Sequence, residues 1–422
     1  MNLMTALVRS AVLLALGVAA VASLQLSARG EDWPRWRGPN LDGISKETGW
    51  LAQWPAEGPK KLWEAGVGIG YSSLAVSKGR VYTMGNIAEK DGVSCFEAET
   101  GKLRWRHDYA CASRDPNGYH GTRCTPTVDE DRVYTVSRHG NFFCLDAATG
   151  NPIWSKDLKK DLAGREPRNG QREGWGYAGS PLIEKNWVLI EVGGEGASVA
   201  AFDKMTGEVV WKAGSDCPGY ASLIAFDLGG ERCFAQFSEA NIIVRRMKNG
   251  SELWRLPWKT SYGVNAATPI IQGDEMFISS GYGFGCALLK MSPESVKEVW
   301  RNKSMKNHVN SCVLVDGHIY GYDDSELKCL DWKTGEVKKT GDANWGTKAY
   351  GKGAILVAGD KFILFGQTGK LGVAEINPNE FKELSSFQAL PGKDTWANPV
   401  LANGRLYVRN LDKVAAFDVK AK

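Results

Sequence analysis

One pattern recurs along this chain: a short apolar run, an acidic residue, Thr-Gly, then Trp four residues after the Gly. It reads CFEAETGKLRW from Cys95 to Trp105, CLDAATGNPIW from Cys144 to Trp154, and AFDKMTGEVVW from Ala201 to Trp211. The last copy, VAAFDVKAK, stops at Lys422 with no Trp strand after it. An orphan Trp strand, KKLWEAGVG from Lys60 to Gly68, stands before the first full copy. A ring of repeats closed by its own N-terminal strand accounts for both oddities, and few other folds accommodate them.

Each unit opens with a short run of β-branched or aromatic residues, often after Ser or Thr-Pro. A Gly, Asp or Asn turn and a second run follow, as in TPTVDEDRVYTVS (Thr125 to Ser137) and NPVLANGRLYVRN (Asn398 to Asn410). This is the grammar of strands and hairpins. Thr-Gly then supplies a tight turn, at Gly101, Gly150, Gly207 and Gly335, before the Trp strand. Openings near Ser73, Pro126, Pro181, Leu223, Pro269, Cys312, Ile355 and Pro399 give eight units spaced by 42 to 55 residues. Trp63, Trp105, Trp154, Trp211, Trp254 and Trp300 take the fourth-strand slot, with Lys339 expected in unit six and Phe387 in unit seven. Four strands at this period predict an all-β, eight-bladed β-propeller with four-stranded blades. A Trp repeated blade after blade reads as packing between blades.

The domain plan is a signal peptide over residues 1–30, an extended N-terminal segment over 31–59, and the propeller over 60–422. Arg9 is the single charge ahead of an apolar stretch, Ala11 to Leu26, too short for a confident membrane span. The mature chain is therefore expected in the periplasm or outside the cell, as a monomer without an integral membrane span. The segment 31–59, with Trp33, Trp36, Trp50 and Trp54, is expected to lie extended across the ring and cover blade edges. Fifty-two basic residues are interspersed with 48 acidic ones for a net charge of +4, which gives no footprint for nucleic acid. Of nine cysteines, Cys95, Cys144 and Cys329 share one repeat position that elsewhere holds Ala201 or Val244, a small buried slot. Cys111 and Cys124, flanking one loop, are left as either a local disulfide or two thiols. The inter-blade segments His107 to Arg123 and Ser155 to Ala178 are longer than the rest and are candidates for binding loops.

The Asp-x-x-Thr-Gly-x-x-x-Trp units resemble the blade repeat of pyrroloquinoline-quinone (PQQ) dehydrogenases and of the assembly lipoprotein BamB. A broader resemblance is to exported PQQ-like propeller proteins of the Planctomycetes type. It rests on Trp33-Pro34-Arg35-Trp36-Arg37-Gly38-Pro39 and Asp42-Gly43-Ile44-Ser45 near the start. Gly193 to Ser198, Val264 to Pro269, Ser280 to Gly283 and Lys306 to His308 carry it further. That resemblance implies an eight-bladed ring and, for the dehydrogenases, PQQ with calcium as cofactor. Such enzymes carry adjacent cysteines, absent here, and a metal-binding Glu near the place of Glu195, which in this sequence reads as a solvated turn residue. The five histidines show no metal-ligand spacing, and no nucleophile elbow is present. No catalytic or metal residue is therefore assigned.

The best candidate site follows from topology. Residues just before each innermost strand ring one mouth of the central channel: Tyr71, Arg123, Tyr177, Tyr220, Asn265, His308, Asn310, Lys352, Trp396 and Asn398. The repeat does not demand these types. Arg123, Tyr177, Asn265, His308, Asn310, Lys352, Trp396 and Asn398 form the candidate ligand set, with the two cations for an anionic group and the asparagines reading hydrogen-bonding atoms. A small anionic ligand, a quinone, a peptide segment or water alone would suit this mixture. The function expected is a non-enzymatic binding or assembly scaffold, BamB-like by analogy, with an envelope protein as partner. The alternatives are a PQQ-dependent dehydrogenase acting on an alcohol or polyol and, from the mouth aromatics, a carbohydrate-binding module.

Overall fold

The structure, a computed structural model, describes residues 30–113, 118–169 and 172–421. The proposed signal peptide falls almost wholly outside the described residues. Eight antiparallel sheets follow one another along the chain. Blade one runs from Ala75–Ser77 to Leu103–Ala110, blade two from Thr127–Asp129 to Pro152–Asp157, and blade three from Leu182–Glu184 to Val209–Ala213. Blade four spans Ile224–Leu228 to Glu252–Pro257, and blade five Ile270–Gln272 to Val296–Asn302. Blades six, seven and eight open with Val313–Val315, Ala354–Ala358 and Val400–Ala402. The outer strand of blade eight is Lys61–Gly66, paired antiparallel with Lys413–Asp418 so that Trp63 lies opposite Ala416. The N-terminus closes the ring, as the repeat count requires.

The repeat motif is a device for joining blades. In blade two the Asp146 carboxylate accepts hydrogen bonds from the Ala148 and Thr149 main-chain N–H groups and from the Thr149 hydroxyl, which shapes the Thr-Gly turn. Gly150 then takes φ 76°, and a Cβ there would lie 2.4 Å from the Trp105 ring of blade one. The indole of Trp105 donates to the Ala147 carbonyl at 3.1 Å. Blade one thus sets its Trp on the next blade's glycine and ties it to the carbonyl just after the third strand; Trp63, Trp154, Trp211 and Trp300 lie likewise on Gly101, Gly207, Gly250 and Gly335, although the Trp211 indole N–H has no acceptor. Trp63, Trp154, Trp254 and Trp300 repeat the bond, on Ala98, Lys204, Ser292 and Trp332. The slot facing Trp, held by Cys95, Cys144 and Ala201, is small because the ring lies over it. All nine cysteines are free thiols, so Cys111 and Cys124 are not bridged.

Blade six departs from the expectation. Its sheet has three strands, and Lys339 sits in a two-residue strand paired with Ala343–Asn344 instead of in the Trp slot. Trp345, fully buried and arriving from beyond that hairpin, does the work. Its indole donates to the Asn377 carbonyl of blade seven at 2.7 Å. A long insertion displaced the aromatic in sequence while the packing site stayed in place. In blade seven Phe387 does occupy the fourth strand, and Gly58, just ahead of the closing strand, takes the glycine's part against its ring.

The N-terminal segment covers inner blade edges. Trp33 bridges to Val76 of blade one, Pro34 accepts from the Val128 N–H of blade two, and Ile44–Ser45 pairs in parallel with the innermost strand of blade seven. Arg37, fully buried, donates to the carbonyls of Leu41, Asp42 and Cys312. Burial pushes its guanidinium down to about 10. The segment crosses the channel and stoppers it.

Candidate functional site at the channel mouth

Above that stopper the channel opens as a cavity of about 150 Å³, lined by residues from seven blades and by Trp36. Trp36 forms the floor, with its indole N–H donating to Thr268 Oγ1 at 3.0 Å. The walls are aromatic. Tyr71 and Trp396 stack at 5.2 Å, Tyr119 leans on Trp396 at 5.4 Å, and Trp175 meets Tyr220 edge-on at 5.8 Å. His308 stands between Tyr282 and Trp396, at 4.9 and 5.8 Å. Rings that pack on one another hold their positions without the blade framework and leave a preformed surface.

Polar groups enter the cavity through a relay between blades. The Ser73 N–H donates to Thr125 Oγ1, the Thr125 N–H to Ser180 Oγ, and the Ser180 N–H to Ser222 Oγ, at 3.0, 3.1 and 2.9 Å. Each hydroxyl oxygen is thereby oriented from behind, and Thr125, Ser180 and Ser222 all line the cavity. The indole N–H groups of Trp175 and Trp396 are buried and have no acceptor in the protein.

The candidate ligand residues fall into three groups. Arg123, His308, Asn310 and Trp396 line the cavity, as do Tyr71 and Tyr220 of the wider ring. Lys352 stands behind His308, with Nζ 3.5 Å from its Nδ1 and 3.2 Å from Asp324 Oδ1. Burial, then the Lys352 charge, pushes the His308 imidazole down to about 4, so it is neutral at ordinary pH. Tyr177, Asn265 and Asn398 are not in the lining. Tyr177 is buried and donates to the Val192 carbonyl. Asn265 is fully buried, its amide N–H groups donating to the carbonyls of Ser238, Glu239 and Trp258 and its oxygen accepting from Ser280. It braces the loop beneath blade four. Asn398 is buried, and its carbonyl accepts from the Ser73 hydroxyl of blade one.

Arg123 points its guanidinium along its own loop, donating to the carbonyls of Gly121 and Tyr119 and standing 5.8 Å over Tyr71. Trp36, Tyr119, Trp175 and Tyr282 are lining residues absent from the sequence-based set. Tyr119 and Trp175 come from the two long inter-blade loops, one aromatic each, and that excess length was the available signal. Trp36 could not be placed without knowing that its segment enters the channel.

Among the described residues no carboxylate lines the cavity. Glu195 is exposed in a turn of blade three, and among the described residues no three His, Cys, Asp or Glu side chains group as a metal site. PQQ with calcium asks for oxygen ligands of matching charge and a carboxylate base beside the substrate. The mouth offers hydroxyls, an amide and rings, a donor set that does not fit that pair.

Comparison with known proteins places the fold. BamB from Moraxella catarrhalis matches with a TM-score of 0.58 at 14% identity, over 86% of this chain and 98% of that one. The europium-containing methanol dehydrogenase matches with a TM-score of 0.63 at 14% identity, over 90% and 89%. At such identity these likenesses show the shared propeller and no more. In sequence, a stretch of 130 residues is 33% identical to the dehydrogenase subunit of the quinone alcohol dehydrogenase of Gluconacetobacter polyoxogenes. That stretch is 28% of this chain and 16% of the enzyme, so the chain spans only a small part of that relative. The family model described as outer membrane protein assembly factor BamB matches residues 89–341, more than half of this PQQ-like β-propeller, and the chain belongs to that family.

Proposed function

We propose that this chain is an exported, non-enzymatic binding protein that uses the mouth of its channel to hold a small ligand. The observation that carries the reading is the cavity itself. It is aromatic on its sides, closed below by Trp36, supplied with oriented hydroxyls, and bordered among the described residues by no carboxylate to act as base or metal ligand. Such a site binds and orients, and among the described residues it has no carboxylate placed to take a proton from a bound alcohol. The outer blade surface remains free for an envelope partner, the assembly role carried by the BamB name. No helix among the described residues is long and apolar enough to cross a membrane.

The second reading, a PQQ-dependent dehydrogenase, is favoured by the local identity to the quinone alcohol dehydrogenase subunit. One experiment separates the two. The purified chain is incubated with PQQ and CaCl₂, desalted, and assayed for dye reduction with a panel of primary alcohols and polyols. We expect no retained quinone absorbance and no dye reduction. Stoichiometric retention with alcohol-dependent turnover overturns the binding-protein reading.

A further inference from the structure

Resting on the assignment of the channel mouth as a binding site, we infer that its ligand is a neutral pyranose ring, the terminal sugar of a saccharide. Size comes first. A cavity near 150 Å³ is of the order that holds a single six-membered ring such as benzene, and this one measures about 150 Å³.

Charge comes second. The cation in the lining, Arg123, already donates to the Gly121 and Tyr119 carbonyls and packs on Tyr71. Lys352 lies outside the lining and is paired with Asp324. The imidazole of His308, held between rings, is uncharged at neutral pH. Among the described residues neither an anionic nor a cationic ligand finds an uncommitted counter-charge here, and burying one without it is costly.

Polarity comes third. The Thr125, Ser180 and Ser222 hydroxyl oxygens each accept from the preceding blade, which leaves their O–H groups to donate. The occupant must therefore bring acceptor oxygens around an apolar body. A pyranose does so, presenting C–H faces to the aromatic walls and oxygens at its rim. At the cavity's rim, Tyr282 of the lining meets Tyr262 edge-on at 4.8 Å, and both are well exposed. They form a lip on which a second sugar can rest, so the occupant is the end of a chain.

The test uses isothermal titration calorimetry and tryptophan fluorescence on the full chain. One probe set is the methyl glycosides of glucose, galactose, mannose, xylose and N-acetylglucosamine, with their β-linked disaccharides. The other set is benzoate and 4-hydroxyacetophenone, single-ring compounds with and without charge. We expect a saccharide to bind, its disaccharide to bind at least threefold more tightly, and Trp396→Ala to weaken binding at least tenfold. Ser222→Ala removes one hydroxyl with little change of shape. It should weaken the same saccharide about threefold to tenfold, which guards against a misfolded Trp396 variant. Binding of an aromatic probe with no response to any saccharide overturns the sugar assignment and leaves the mouth a ligand site. No response to either set overturns both.

Discussion

Glu191 is the most unusual side chain in the ring. It sits on the second strand of blade three, 5% exposed, and accepts a 2.9 Å hydrogen bond from Gln236 of blade four. Arg245 is near, but its guanidinium is bonded to the Gln236 oxygen and paired with Asp216, so its charge is already answered. Burial therefore dominates and pushes the Glu191 carboxyl up to about 8. Between about pH 4.5 and 8 the unfolded chain releases a proton that the folded chain keeps, so this residue makes stability fall as pH rises through that window. Glu191→Gln removes the dependence. Thermal unfolding should find the variant more stable than the parent at pH 8, by about 1 kcal/mol or more, and level with it near pH 4.5. Equal melting temperatures at pH 8 would refute the account. Nothing in the sequence marks this residue, because its neighbour Glu195 looks the same on paper. Burial at a blade interface, set by tertiary packing, is what divides them.

Among elements, the Trp-on-Gly junction was the most legible feature and its exceptions the least. The repeated motif states its own spacing, so five of the fourth-strand tryptophans within the ring, and the closing Trp63, could be read directly. Lys339 was misplaced because the two-residue strands Lys339–Thr340 and Ala343–Asn344 interrupt the period, and Trp345 reaches the slot from outside it. A packing site is conserved in space, whereas a period is a property of the chain. At the channel mouth the outcome is mixed: Arg123, His308, Asn310 and Trp396 were named and line it, Tyr177, Asn265 and Asn398 were named and pack elsewhere, and Trp36, Tyr119, Trp175 and Tyr282 line it without having been named. The junction also predicts its own sensitivity. Gly150 takes φ 76° with a Cβ position 2.4 Å from Trp105, while Gly79 takes φ 73° with nothing within 4 Å. Gly79→Ala should pay only for the left-handed backbone, about 1 kcal/mol. Gly150→Ala adds overpacking and should cost about 2–4 kcal/mol in all. Chemical denaturation of both variants checks it, and equal losses would mean that the ring contact does not matter.

At the scale of the molecule, one strand pair holds the circle shut. In the other four-stranded blades the third and fourth strands are joined by a turn, but Lys61–Gly66 and Lys413–Asp418 meet through hydrogen bonds, the exposed Lys413–Glu64 ion pair and Trp63, with no turn between them. Around this seam Arg409 is wholly buried, donating to the Ser72 and Gly68 carbonyls and the Thr83 hydroxyl, so blade eight is tied to blade one by a side chain as well. The Val67 N–H donates to the Asp412 carbonyl, and by strand alternation the Ala65 N–H points the same way, into the seam. The Glu64 N–H then faces outward, on an edge where proline is tolerated. Ala65→Pro should remove a seam hydrogen bond and force the strand off its partner, at about 2–4 kcal/mol. It should also bare the Lys413–Asp418 edge, which invites pairing with another copy. Size-exclusion chromatography should show dimers and larger species growing with concentration for Ala65→Pro. Glu64→Pro should remain at the parent's elution volume and within about 1 kcal/mol of its stability. If both prolines behave alike, the seam is not what keeps the ring closed, and the buried Arg409 contacts would have to carry that role.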